Sequence, residues 1–270
     1  MLANFLIGLR EGLEAALIVA ILVTYLVRMD ERRHLVRIWQ GVGAAVALSL
    51  AVGGALQFVS EELGEEAEEI FAGITSLAAV VLVTWMIMWM AVRARNLRAE
   101  LHGRVDRALA DNPTTLALVA FVAVLREGLE TALFLYAGIK AAGDGVGPVT
   151  GAVLGLATAV ALGVALYRGM VRLDLGKVFT WSAYALIVVA AGILRYGVHE
   201  FQEVGLLPET GDPVYDVSNI VVSGGWLETL LKGTVNFSTH PTPLEVVVWA
   251  GYIVIATAVY RSRARAAVNA

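Results

Sequence analysis

Residues 9–14 read LREGLE, and residues 125–130 read LREGLE again. Arg10, Glu11 and Glu14, and then Arg126, Glu127 and Glu130, therefore fall inside runs of Ala, Leu, Val and Ile. On a helix, residues three and four apart share a face. Each motif thus gathers two carboxylates with a built-in guanidinium counter-ion. Gly12 and Gly128, lying between them, let a neighbouring helix or an ion come up to the backbone. An ion at the centre of a spanning helix costs about 2.5–3.5 kcal/mol to insert, and a buried ion pair often does no better than an apolar replacement of similar volume. One reading of the motifs is a structural salt bridge; the other, favoured by the repeated double carboxylate, is a path for a cation or a proton. Each motif sums to −1, so a facing pair carries −2 and four carboxylates, which suits a hard multivalent cation.

The elements that carry these charges are membrane spans. The chain has 270 residues, 58% hydrophobic and 16% charged, with a mean hydropathy of +0.73, against about 45–50% apolar and about 25% charged in soluble domains. A spanning helix needs about 20 mainly apolar residues. Seven stretches qualify: 3–27, 37–59, 70–92, 114–139, 148–167, 178–200 and 244–260. The first has no basic leader and carries three central charges, so it reads as a retained helix and not a signal peptide. The chain has no cysteine, which excludes disulfides and thiolate metal sites and leaves oxygen and imidazole as ligands.

Sidedness follows from Lys and Arg. Arg28, Arg32, Arg33 and Arg37, then Arg93, Arg95, Arg98, Arg104 and Arg107, then Arg168, Arg172 and Lys177, with Arg261, Arg263 and Arg265 in the tail, fall on one side; Lys140 and Lys232 fall on the other. This predicts an all-α integral membrane protein of seven transmembrane helices, N-terminus outside and C-terminus inside. The motifs lie 116 residues apart, three spans from one to the next. Three is odd, so the second unit crosses in the opposite sense. The expectation is one membrane domain: a first repeat over about 1–93, an inverted second repeat over about 114–200, an extracytoplasmic loop at 201–243 and a seventh helix at about 244–260. Inverted repeats place substrate sites near the midplane at their interface. Small residues every fourth position, Gly43, Ala47, Ala51 and Ala55 in the second span and Gly147, Gly151, Gly155, Ala159 and Gly163 in the fifth, predict close helix packing within the chain or between copies.

Other polar groups are candidates for supporting roles. Glu61, Glu62, Glu65, Glu66, Glu68 and Glu69 form an acidic outside loop that would concentrate cations at an entrance, or serve as a solvated turn. Arg195, Gly197 and Glu200 echo the motif, and His199, Glu200 and Glu203 make a candidate outer metal station or an interfacial polar cluster. Glu31 and His34, in a basic inside loop, are not expected to be ligands. Trp85, Met86, Met88, Trp89 and Met90 read as an aromatic belt with lipid-facing filler.

Arg-Glu-Gly-Leu-Glu in the first and fourth of seven spans resembles the high-affinity iron permease family, which includes the oxidase-dependent iron transporters and their bacterial ferrous-uptake relatives. The stretches HEFQEVGLLP (His199 to Pro208) and PTPLEVVVWAGY (Pro241 to Tyr252) are similar too, so the resemblance covers the whole chain. It implies that Glu11, Glu14, Glu127 and Glu130 handle iron, supported by Arg10 and Arg126. It also implies iron as substrate and not cofactor, a multi-pass protein of the cytoplasmic (inner) membrane, and a separate extracytoplasmic oxidase, peroxidase or metal-binding partner. No nucleic-acid partner is expected, and an oligomer is compatible with the chain. Alternatives are an importer of another divalent cation, of lead or manganese type, and a membrane-embedded carboxylate metal enzyme. The enzyme calls for Glu-x-x-His on facing helices, which the spans lack. A retinal pigment is disfavoured because the seventh span has no lysine.

Overall fold

A computed structural model describes residues 1–93, 97–111, 115–143, 146–168, 175–208, 212–217 and 237–269, with side chains at 91–93, 97–100, 110–111, 175 and 267–269 set aside. Arg95, Arg172, Gly211 and Lys232, with most of the outer segment, lie outside the described residues, as do the side chains of Arg93 and Arg98. The described residues form eight α-helices and one short 3-10 turn. They are α1 (Leu2–Arg28), α2 (Leu35–Glu62), α3 (Glu65–Arg93), α4 (Leu97–Asp111), α5 (Thr115–Ala142), α6 (Val146–Tyr167), α7 (Leu175–Glu203) and α8 (Pro243–Asn269).

By length and composition α2, α3, α6, α7 and α8 can each cross a membrane. Helices α1 and α5, of 27 and 28 residues, are equally long; their motif charges set them apart. The chain is a multi-pass helical membrane protein. Helix α4 is different. At 15 residues it is too short to span, and it falls where the sequence reads as a basic loop. Its Leu101, Val105 and Ala108 are buried at the three- and four-residue spacing of an amphipathic face, pressed on α1 and α5. The Tyr25 hydroxyl at the end of α1 donates to Asp106 Oδ1 at 2.6 Å, and the Tyr25 ring stacks on His102 at 3.9 Å.

The long helices pack as three dominant pairs, α1 on α6, α2 on α5 and α3 on α7, with α5 also against α1 and α8 against α7. Small residues set the first two contacts. At Gly151 an added Cβ would meet the Met1 carbonyl oxygen, at Gly155 the Phe5 carbonyl oxygen, and at Gly163 the Ala16 Cβ at 2.6 Å. The fifth-span stripe is therefore a helix-packing face from Gly151 onward. The second-span stripe of Gly43, Ala47, Ala51 and Ala55 is exposed on the single chain; within the chain the packed face of α2 is Gly41, Ala45 and Ser49 against α5. A helix rich in small residues on every side offers two equally good stripes by spacing, and only the partner's shape chooses between them.

Two apolar cores result. One gathers Ala3 and Ile7 of α1 with parts of α3, α5, α7 and α8. The other gathers Ile18, Leu22 and Leu26 of α1 with α2, α4 and Leu116, Ala120 and Val124 of α5. Along α1 and α5 the charged motifs lie between the two. Met86, Met88 and Met90 belong to the first core and are buried, which corrects their reading as lipid-facing filler.

Candidate metal centre

Residues 10–14 and 126–130 meet where α1 crosses α5. Glu11, Glu14 and Glu127 each offer a carboxylate oxygen, and the three oxygens lie within 4.8 Å of one another. All three side chains are buried, Glu11 completely. Opposed oxygens around a hard divalent cation lie about 4–5 Å apart, twice a metal–oxygen distance. A single ion can therefore touch all three.

The motif arginines are attached to the carboxylates one turn on. Arg10 Nε donates to Glu14 Oε1 at 3.1 Å, and Arg126 Nε donates to Glu130 Oε1 at 3.0 Å. Arg126 also lies 3.9 Å from Glu127 Oε1. Both oxygens of Glu11, Glu127 Oε2 and Glu130 Oε2 are buried with no hydrogen-bond partner. In a low-dielectric interior an ionised carboxylate without partners is strongly disfavoured unless it takes up a proton or a cation completes it. The donor set is hard oxygen throughout, so the residues fit a hard or borderline divalent ion.

Glu130 stands outside the three-oxygen group. Its arginine explains the displacement: the Arg126 guanidinium lies over the rings of Trp89, 4.5 Å from the centroid, and Trp85, 5.3 Å. The tryptophans read from sequence as an aromatic belt thus also hold a motif arginine. Gly12 and Gly128 serve helix approach: an added Cβ would meet Ala159 Cβ of α6 at 2.6 Å in the first case and the Ser49 side chain of α2 in the second.

The outer groups sort differently. Glu61, Glu62, Glu65 and Glu66 are exposed, and Glu68 and Glu69 half-buried. Glu65, Glu66 and Glu68 occupy the first turn of α3, where carboxylates complement the helix dipole. Glu68 Oε1 accepts from Lys140 Nζ at 2.7 Å and Ser60 Oγ at 3.2 Å, joining α3 to the end of α5. His199 is held between two carboxylates, Glu245 Oε1 at 3.0 Å and Glu203 Oε1 at 3.4 Å. Arg195 donates to Glu245 Oε2 at 2.6 Å. Glu200 is buried and lies against Tyr196. Glu245, which the sequence reading left without a role, is the hub that fixes α8 to α7; it stands in the first turn of that helix, where a lone carboxylate ahead of an apolar run was the available signal. Glu31 sits beside His34 at 3.5 Å and is bonded to exposed Arg33, a surface cluster. In the segment between α7 and α8 the Val214 and Val217 N–H groups donate to the Pro241 and Thr239 carbonyls, so its two described ends fold back on each other.

A multi-pass helical protein with unpartnered carboxylates at a helix crossing has the build of a cation permease. The sequence profile of the iron permease FTR1 family matches residues 1–267, and the chain belongs to that family, a family of permeases and not of enzymes. Ferrous iron permease EfeU of Shigella sonnei (strain Ss046) is 38% identical over 273 residues, covering 100% of this chain and 99% of the relative. Ferrous iron permease EfeU of Yersinia pestis is 36% identical over 277 residues, covering 100% and 98%. A putative inactive ferrous iron permease EfeU of Escherichia coli (strain K12) is also 38% identical over 273 residues, so likeness of this degree identifies a family without certifying transport. No solved structure matches the chain.

Proposed function

We propose that the chain imports ferrous iron across the cytoplasmic membrane, binding it at Glu11, Glu14 and Glu127 near the midplane, with Glu130 as a fourth carboxylate released to the ion when Arg126 lets it go. The observation that carries this reading is Glu11, fully buried, with neither carboxylate oxygen partnered, in a group of three buried carboxylates. With the carboxylates ionised, Glu11, Glu14, Glu127 and Arg10 sum to −2, and Arg126 with Glu130 to zero. A divalent cation neutralises the centre; a monovalent one leaves it charged in a low-dielectric site.

The architecture belongs to the same proposal: seven spans (α1, α2, α3, α5, α6, α7 and α8), N-terminus outside, in two inverted repeats. Packing supports it. A shift of 116 residues carries α1 onto α5, and a shift of 110 carries α2 onto α6. Under these shifts Gly41 against the Ala117 carbonyl maps onto Gly151 against the Met1 carbonyl, Gly128 against Ser49 onto Gly12 against Ala159, and Gly53 against Ala132 onto Gly163 against Ala16. Such matching is what a pseudo-two-fold axis in the membrane plane produces. Import follows from a site reached from outside and released inside as one repeat rocks against the other. A separate extracytoplasmic oxidase, peroxidase or metal-binding protein would dock on the 201–243 side.

Reconstitution in proteoliposomes tests the function. Radiolabelled ferrous iron, kept reduced, should accumulate in vesicles holding the parent chain and not in vesicles holding Glu11→Gln, with excess Mn²⁺ and Pb²⁺ as competitors to rank the ions. Equal accumulation by parent and Glu11→Gln would end the proposal.

A further inference from the structure

Asn4 lies two turns outward of Glu11 on the same face of α1, because seven residues bring a helix back to within about 20°. It is wholly buried, and neither its amide oxygen nor its amide nitrogen has a hydrogen-bond partner. The result holds whichever way the amide is turned. Its neighbour across the seam is Gly138 of α5, where an added Cβ would meet Asn4 Oδ1 and lie 3.3 Å from Ile7 Cδ1. Gly138 stands eleven residues from Glu127, again on the same face of its helix. Asn4 and Gly138 thus occupy the α1–α5 seam directly outward of the carboxylates.

The inverted repeat supplies a control within the same molecule. The 116-residue shift sends Asn4 to Ala120 and brings Leu22 onto Gly138. Ala120 and Leu22 are both fully buried and apolar, in the core around α4. Packing at this place in the fold is therefore satisfied without a polar group. The outer half of the seam carries an amide and a missing side chain; the inner half carries hydrocarbon.

We propose that Asn4 is a second, neutral cation station on the approach to the carboxylates, its amide, lodged where a Gly138 side chain would stand, offering an oxygen as one ligand to a partly hydrated divalent ion that passes along the α1–α5 seam. An amide oxygen is a hard ligand without charge. It can replace one water of the shell without holding the ion as firmly as three carboxylates do, and conduction needs sites that release as well as bind. The inference rests on the transport reading above.

Four variants test it: Asn4→Leu, Gly138→Ala, the double variant Asn4→Ala with Gly138→Ala, and Glu11→Gln. Each is read for ferrous uptake in proteoliposomes, for Mn²⁺ binding to the detergent-solubilised protein by titration calorimetry, and for thermal unfolding. The station predicts that Asn4→Leu unfolds no earlier than the parent, binds Mn²⁺ within about twofold of it, and takes up iron at least about tenfold more slowly. A tenfold loss corresponds to about 1.4 kcal/mol of barrier. Gly138→Ala, which drives a methyl onto the amide, should lose uptake similarly. A merely steric fit predicts that shortening Asn4 makes room for the added methyl and returns the double variant to parental uptake; the station predicts that it stays slow. Parental uptake in Asn4→Leu, or in the double variant should Asn4→Leu not insert, overturns the station. Parental uptake in Glu11→Gln overturns the carboxylate reading instead, so the two failures are distinct.

Discussion

The two copies of LREGLE have the same six residues in unlike surroundings. In the first, Arg10 and Glu14 have side chains 2% and 7% exposed, Glu11 is sealed, and Arg10 has Nε on Glu14 with Nη1 unpartnered. In the second, the Arg126 side chain is 34% exposed and spread over Trp85 and Trp89. The first copy contributes two of the three gathered ligands, the second only Glu127. Two motifs of equal sequence need not make equal half-sites. The helix beside each motif decides, and among the described residues α3 brings two tryptophans to Arg126 and none to Arg10. Arg126 therefore has a second partner besides Glu130, and among the described residues no ring lies by Arg10; under the proposed function this makes Glu130 the movable ligand and Glu11, Glu14 and Glu127 the fixed ones.

The comparison assumes that the motifs cross the membrane in opposite senses, and the test of that assumption is all-or-none. In this Cys-free chain, single cysteines at Glu66 and Val214, both exposed, should react with an impermeant thiol reagent in intact cells. Cysteines at Arg33 and Arg107 should react only after the membrane is opened. Labelling of Arg33→Cys in intact cells would break the inversion, and with it the pairing of unlike halves.

Next in size is the contrast between fixed and movable ligands. Glu11→Gln keeps shape and removes a charge from a site with no substitute, so uptake should fall by about 100-fold, equivalent to about 2.7 kcal/mol. Glu130→Gln removes a ligand outside the gathered three and should cost less, about 5- to 10-fold. Equal losses would mean that the four carboxylates act alike. A structural salt bridge predicts a different outcome: Arg10→Met with Glu14→Leu would leave no unpaired buried charge and restore both stability and uptake.

This contrast was only half legible in the sequence. The charged residues, their spacing and their repetition are local facts, and Glu11, Glu14 and Glu127 do come together. Helix lengths were legible for the same reason, since a spanning run needs only composition. What escaped depends on contacts between distant segments: Glu130 turned to its arginine, Trp85 and Trp89 against Arg126, and Glu245 holding Arg195 and His199. Helix α4 escaped because charged residues of both signs, Arg98, Arg104 and Arg107 with Glu100, Asp106 and Asp111, make its composition that of a loop, although Leu101, Val105 and Ala108 keep a helical period. Asn4 carries no signal in the sequence, because burial without a partner is a property of the α1–α5 contact and not of the residue.

A smaller effect belongs to the tryptophans. A cation–π contact is worth about 0.5–2 kcal/mol depending on desolvation. Trp89→Ala removes the closer ring and should slow uptake about 2- to 10-fold, while Trp89→Phe, which retains an aromatic face, should recover most of it. Arg10→Lys has no ring to lose and gives the reference: the arginine's forked donor disappears while the charge stays. If Trp89→Ala and Trp89→Phe behaved alike, the ring would be packing and not a resting place for Arg126.

The smallest expected effect lies farthest from the motifs, at the acidic turn between α2 and α3, and it separates capture from coordination. Glu61, Glu62, Glu65 and Glu66 are exposed, so water and salt screen them: at 0.15 M ionic strength their influence fades over about 8 Å. Exposed carboxylates can raise the local cation concentration but cannot hold an ion through the membrane. Replacing these four with Gln should therefore lower uptake by no more than about threefold at low metal and low salt, with full recovery at saturating metal or raised salt. Glu68 is deliberately left intact, because it is tied to Lys140 and Ser60 and its loss would loosen α3 from α5 as well as change charge. A loss that persisted at saturating iron would place these residues in the transport step itself. No loss at low ionic strength would leave them as dipole partners at the start of α3, where Glu65 and Glu66 already stand in the first turn.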